Sequence, residues 1–163
     1  MSDAATVAVR ILGRDQAGVL DRVAPGVFDH AVDRRWTEQF FADPRHHLAV
    51  AIRAGEVVGM ASAVHYVHPD KPPELWVNEV GVAPACQRQG LGKRLLAALF
   101  AHGRSLGCSE AWLGTEADNI AARRLYASAG GVAEPMLYFT FDLARDGADI
   151  ALTPKSSLHG RPA

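Results

Sequence analysis

The apolar positions fall into short runs and alternations up to residue 83 and into one long helical stripe soon after it. Residues 6–12 read as a first short strand. Residues 15–43 mix small, aromatic and charged side chains and predict one or two helices, with Phe40 and Phe41 packing near their end. Asp43 closes that segment because it precedes Pro44, and a residue before proline is pushed away from the helical region. Residues 48–52 form an unbroken apolar run of strand length. A turn at Ala54-Gly55-Glu56 joins them to a third strand at 57–67, making a hairpin. Three prolines within residues 69–73 predict a rigid loop, and residues 75–82 a fourth strand that stops before Pro84.

The clearest helix spans residues 90–106, with Leu91, Leu95, Leu99 and Leu106 on one stripe and Gly107 as its stop. A fifth strand is predicted at 110–114. Asp118 or Asn119 caps a further helix that runs to about Ala129, where Gly130-Gly131 terminates it. Residues 136–143 alternate like a final strand, and residues 144–163 read as a loose tail. The order β-α-β-β-β-α-β-α-β predicts a single mixed α/β domain over residues 1–143.

Composition narrows the functional classes. A length of 163 residues, 48% of them hydrophobic, suffices for one domain with a sizeable core. A formal net charge of -1 lacks the basic excess of a nucleic-acid binder. No apolar run approaches the ~20 residues that cross a bilayer. The start Met1-Ser2-Asp3-Ala4 has neither the basic nor the apolar part of a secretory signal, so a cytoplasmic location is expected. Cys86 and Cys108 are too few for a disulfide framework. Among the histidines, His46 and His47 are adjacent, so a strand points them to opposite faces, and no metal site is expected.

Chemistry concentrates in residues 77–94: strand, turn, glycine loop, helix. Gly90 and Gly92 let backbone approach a ligand at a helix start, where unpaired N–H groups and the dipole favour an anion. Arg88, Lys93 and Arg94 add positive charge. For Gly-x-Gly alone, a solvated basic turn is the favoured reading. A Walker A loop is excluded because Gln87 stands at its first glycine and Arg94 at its Ser/Thr. A dinucleotide fingerprint is excluded because Leu95 stands at its third glycine.

The pattern Gln87-x-x-Gly90-x-Gly92, after a strand ending in Val82-Ala83-Pro84, resembles the coenzyme A pyrophosphate loop of the GNAT superfamily of N-acetyltransferases. Residues 119–126, followed by Gly130-Gly131, resemble that family's second cofactor segment, and both occur in family order over roughly residues 48–143. The resemblance implies a central mixed sheet with splayed middle strands flanked by helices. It also implies acetyl-CoA as cosubstrate, without a metal. The cofactor contacts carried over are Val80, Val82, Gln87, Arg88, Gln89, Gly90, Leu91, Gly92, Lys93, Asn119, Ala122 and Tyr126. A small-molecule or peptide amine is the implied partner, neither nucleic acid nor membrane is, and a homodimer is compatible with it.

Two residues are the catalytic candidates. By strict alternation Glu79 shares a face with Leu75, Val77 and Gly81, and a carboxylate among apolar neighbours is costly unless paired or functional. Burial would raise its pKa toward that of a base working near neutral pH. The alternative is a glutamate paired with an arginine across the sheet. In similar GNAT enzymes an acidic residue here takes the amine proton, a strand N–H (here Val80) steadies the oxyanion, and a tyrosine at the place of Tyr126 protonates the departing thiolate. Tyr126 also reads as a packing aromatic, and Asn119 as a helix cap.

For the acceptor, residues 57–60, the proline loop, residues 74–82 and residues 134–139 are similar to the aminoglycoside 3-N-acetyltransferase branch, which carries Asp where this chain has Glu79. A polycationic acceptor also calls for carboxylates, with Asp29, Asp33, Glu38, Asp70, Glu74 and Glu134 as candidates or as solvated faces. Other small amines, a protein amino group and a silent acyl-CoA-binding module stay open.

Overall fold

The computed structural model describes residues 6–143. Its elements are β1 (Ala8–Ile11), a 3-10 segment (Arg14–Asp21), α1 (Arg34–Ala42), β2 (His46–Arg53), β3 (Glu56–Tyr66), β4 (Glu74–Val82), a 3-10 turn (Pro84–Cys86), α2 (Leu91–Ser105), β5 (Glu110–Trp112) and α3 (Ile120–Ser128). The strands form one sheet in sequence order. β1 to β4 pair antiparallel and β5 joins β4 in parallel, so the sheet is mixed, as expected. The β2–β3 turn is tight because Ala54 and Gly55 both take positive φ, 50° and 76°, the geometry that matches strand twist in a two-residue hairpin.

The core lies where β2 and β3 are covered on both faces. Leu48, Ala49, Val50 and Ala51 are all buried, as are Val57, Val58, Met60 and Ala61, which is why these strands read as apolar runs rather than alternations. α2 covers one face through Leu91, Leu95, Leu96 and Leu99. Each fully buried leucine contributes roughly 1.5–3 kcal/mol. Leu106, assigned to the stripe from sequence, is instead the C-cap and partly exposed. The opposite face is covered by Leu20 and Val27 of the segment after β1. That segment is a 3-10 turn, an irregular stretch and one helix, and residues 22–24 run beside the start of β3.

The strand expected at 136–143 is absent. Met136, Leu137, Tyr138, Phe139, Phe141 and Leu143 are irregular and exposed. Alternation describes only which side chains would share a face. A strand also needs a neighbour for its backbone groups, and none of the described residues pairs with these. The tail at 144–163 lies outside the described residues.

His46 and His47 do point to opposite faces. His46 stacks on Phe40 at 5.0 Å between centroids. His47 faces α2, where His102 Nε2 lies 3.0 Å from its Nδ1 and His65 Nδ1 lies 2.7 Å from its Nε2. Burial, reinforced by His102, His65 and His46, lowers the His47 pKa to about 4, and burial lowers that of His102 too. An unfolded histidine binds its proton near pH 6.5. The contribution of this buried neutral chain is therefore complete above pH 6.5 and lost as pH falls toward 4. We expect His47 alone to remove about 2 kcal/mol of stability between pH 7.5 and pH 5. Urea midpoints at the two pH values check this, and a His47→Phe variant with an undiminished pH dependence would contradict it.

Candidate active site

β4 and β5 pair only from Glu74–Glu110 to Trp76–Trp112. Beyond Trp76 the strands part, leaving the outer edge of β4 without a strand partner among the described residues, beside a cleft of about 2300 Å³. Its lining includes Glu79, Val80 and Val82 on β4, Gln87 after it, and Asn119, Ala122 and Tyr126 at α3. Ala83 donates its N–H to Val58 C=O on β3 at 2.9 Å. Backbone direction alternates along a strand, so Val82 and Val80 turn their N–H and C=O groups the other way, into the cleft. The Gln87 Nε2 donating to Val82 C=O at 3.1 Å agrees with that direction.

Strict alternation misplaces Glu79. Ser62 pairs with Glu79 and Ala63 with Val77, so Asn78 is an extra residue and β4 bulges there. A bulge re-aims the side chains beyond it. Leu75 therefore packs on Gly103 of α2, whereas Gly81 faces Val27 on the other side of the sheet. Glu79 goes with Gly81, away from Leu75 and Val77 and toward the cleft. The signal was legible as two consecutive polar residues, Asn78-Glu79, in a strand otherwise apolar from Leu75 to Val82. Burial, with the charge of Asp29 adding and that of His30 opposing, raises the Glu79 carboxyl above its ordinary range. No arginine pairs with it among the described residues.

The loop after β4 is held in left-handed backbone at Arg88 (φ 57°) and Gly90 (φ 76°). A non-glycine residue there is strained, and alternating conformations of this kind turn successive N–H groups to one side. The first bond of α2 runs from Arg94 N–H to Gly90 C=O at 3.1 Å. The N–H groups of Leu91, Gly92 and Lys93 thus point out of the helix end, with the dipole behind them. Gly90 and Gly92 have separate duties. Gly90 supplies the left-handed cap, with open space where a Cβ would stand, whereas a Cβ on Gly92 would meet Leu125 Cδ2 at 2.9 Å. Gly92 therefore lets α3 lie against the start of α2. Arg88 and Lys93 are exposed beside this end, and Gln89 bonds Ala85 C=O. Arg94 is directed elsewhere, donating to Val7 C=O at 2.7 Å.

Asn119 caps α3, its Oδ1 accepting from Ala122 N–H at 3.1 Å. Ala122 is buried behind that cap. Tyr126 lies one turn on, lining the cleft, its phenol pushed above its ordinary pKa by burial and by Glu116. The phenol therefore stays protonated through neutral pH. No group of three or more His, Cys, Asp or Glu able to hold a metal occurs among the described residues, and none of their helices is long and apolar enough to cross a membrane.

The cleft thus combines a splayed parallel pair with a half-buried carboxylate and a protonated phenol in one lining, near a helix end that presents N–H groups. The acetyltransferase (GNAT) family model matches residues 18–130, and the chain belongs to that family. A mycothiol acetyltransferase of Pseudarthrobacter chlorophenolicus is 38% identical over 97 residues, 59% of this chain and 30% of that protein. The N-alpha-acetyltransferase RimI of Mycobacterium tuberculosis is 36% identical over 89 residues, 55% of this chain and 54% of that protein. The matched region spans 19% of another mycothiol acetyltransferase, from Saccharopolyspora erythraea, so these matches cover only part of those relatives. An aminoglycoside acetyltransferase from an uncultured soil metagenomic sample, bound to sisomicin, has the same fold: TM-score 0.74, 17% identity, 84% of this chain and 96% of that one. Aminoglycoside N-acetyltransferase AAC(6')-Iy in complex with CoA gives 0.68 and 20%, over 88% and 99%.

Proposed function

We propose that this chain transfers an acetyl group from acetyl-CoA to the amine of a small molecule, in the cleft between β4 and β5. The observation that carries the reading is that Glu79 and Tyr126 line one cleft, into which the edge of β4 opens. One group is shifted toward a working base and the other holds its proton. The loop and helix end at Gln87–Lys93 fit a pyrophosphate, because they offer outward N–H groups, a dipole and the charges of Arg88 and Lys93. The outward backbone of Val80 and Val82 suits the amide-bearing arm of the cosubstrate, which would otherwise leave that edge unpaired. Asn119 and Ala122 border the same side. A cytoplasmic setting goes with acetyl-CoA as the donor.

In the reaction the acceptor ammonium gives one proton to Glu79, directly or through water. The freed nitrogen forms a bond to the thioester carbonyl carbon, and the Val80 N–H steadies the oxygen as it gains charge. The carbon–sulfur bond breaks, Tyr126 protonates the leaving thiolate, and the second nitrogen proton leaves with solvent. The products are an amide and the free thiol. Holding both reactants in one cleft removes much of the entropic cost of their encounter. Release of thiol with a panel of aminoglycosides, polyamines, amino acids and lysine peptides tests the reading. Tyr126→Phe is expected to lower kcat about 10²-fold with acetyl-CoA affinity retained. No release with any amine would favour a silent acyl-CoA-binding module.

A second acceptor class is a protein amino group, favoured by the 36% identity to the N-alpha-acetyltransferase. Acetylation of peptides and of no small amine in the same panel would select it.

A further inference from the structure

β5 has little packing to hold it. It is three residues long, and Glu110, Ala111 and Trp112 are all exposed. Its pairing with β4 ends at Trp76–Trp112, so the place of Trp112 decides where the cleft begins. A strand this short, without buried contacts, opens locally unless a side chain ties it down. Two hydrogen bonds do so. Trp112 Nε1 donates to Tyr66 Oη at 2.6 Å, and Tyr66 Oη donates to Glu74 Oε2 at 2.7 Å. Hydrogen bonds from Lys71 and Tyr66 hold the Glu74 carboxyl below its ordinary range, so it is ionised at neutral pH. An indole only donates, a carboxylate only accepts, and a phenol has one proton to give, so both bonds have a single direction. Glu74, offered by sequence for a cationic acceptor, is thus taken by partners of its own chain.

The register places this tie on the face of Glu79. The extra residue at the bulge belongs to β4, so on β3 Ser62, Val64 and Tyr66 share one face by simple alternation. Their partners on β4 are Glu79, Trp76 and Glu74, and the partner of Trp76 on β5 is Trp112. Paired residues point to the same side of a sheet. Tyr66, Glu74, Trp76 and Trp112 therefore stand on the side of Glu79, and the bulge at Asn78 is what returns Glu79 to it. The rings of Trp76 and Trp112 meet edge to face with centroids 4.0 Å apart, and both residues line the cleft.

Resting on the acetyl-transfer reading above, we propose that Tyr66 is a positioning residue for the reaction. Its hydroxyl ties Trp112, and with it the end of β5, to β3 at the closed end of the cleft. The Trp76–Trp112 pair then bounds the space in which acyl group and amine meet beside Glu79. Tyr66 acts through Trp112 and does not line the cleft itself. Without the tie the last rung between β4 and β5 opens, Trp112 leaves Trp76, and the reactants are held less closely. Small displacements of this kind are costly where rate depends on orientation. The residues assigned to the cosubstrate, at 80–93 and 119–126, take no part in the tie, so acetyl-CoA affinity is spared.

The test is a double-mutant cycle measured with the best acceptor of the amine panel. Tyr66→Phe removes both hydrogen bonds, and Trp112→Phe removes only the one that ties β5. Each is expected to lower kcat about tenfold with KM for acetyl-CoA retained. The double variant should be no slower than Trp112→Phe, because one interaction links the two residues. Lys71→Ala takes a partner from Glu74 but leaves the tie, and should keep the wild-type kcat. By NMR, the Trp112 indole N–H signal, assigned by its loss in Trp112→Phe, should shift in Tyr66→Phe and stay in place in Lys71→Ala. A merely structural role would give additive losses in the cycle and a lower kcat in Lys71→Ala as well. Either result, a wild-type kcat in Tyr66→Phe, or an indole signal indifferent to Tyr66 would overturn the proposal. Absence of thiol release by the wild type with every amine would instead defeat the acetyl-transfer reading, while the indole signal would still report on the tie.

Discussion

Glu79→Gln is expected to lower kcat by about 10²–10⁴-fold, the range for removal of a positioned general base. Acetyl-CoA affinity should persist, since the residues assigned to the cosubstrate lie on the loop, on α3 and along the strand backbone. The direction of the pH effect follows from the surroundings of the carboxyl. Burial and Asp29 favour its protonated form, and a base acts only when deprotonated. Wild-type kcat/KM should therefore rise with pH through a value above the ordinary glutamate range, and that limb should vanish in the variant. Folding should be retained or slightly improved, because the neutral amide avoids the cost of a half-buried charge. Turnover and a pH profile unchanged from wild type would remove Glu79 from the mechanism.

Gly81→Ala is expected to give the largest loss of stability of any single methyl addition considered. The added carbon would stand 2.0 Å from the Val27 carbonyl oxygen and 3.1 Å from its carbon. Both are backbone atoms, so no rotamer change relieves the clash, and strand and segment must separate. A cost at or above the ~1–3 kcal/mol typical of overpacking is expected. Gly92→Ala is the control. Its Cβ would meet the end of the Leu125 side chain at 2.9 Å, which can rotate away, so about 1 kcal/mol or less is expected. Denaturant midpoints compare the two. Equal, small effects would mean that Val27 is not seated on β4 at Gly81.

Much of this was legible in the chain. The stripe Leu91, Leu95, Leu99 is a local periodicity, and Gly90 with Gly107 marks its ends, so α2 could be read within a residue of its bounds. The hairpin and the cap at Asn119 are local too. What escaped depends on partners distant in sequence. The bulge at Asn78 exists only in the pairing of β4 with β3, so period-two counting put Glu79 on the wrong face. The packing duty of Gly92 was hidden because its neighbour Leu125 is 33 positions away in the numbering. The alternation at 136–143 carried no information about whether a sheet edge would receive it.

The measurement that bears most directly on the proposed site is a backbone amide titration of the protein with acetyl-CoA by NMR. Shift changes concentrated at Val80, Val82, residues 88–93 and residues 119–126 are expected, with β1 and the β2–β3 turn undisturbed. Binding that perturbs the opposite face of the sheet and leaves these amides unchanged, or no binding at all, would contradict the assignment of the β4–β5 cleft to acetyl-CoA.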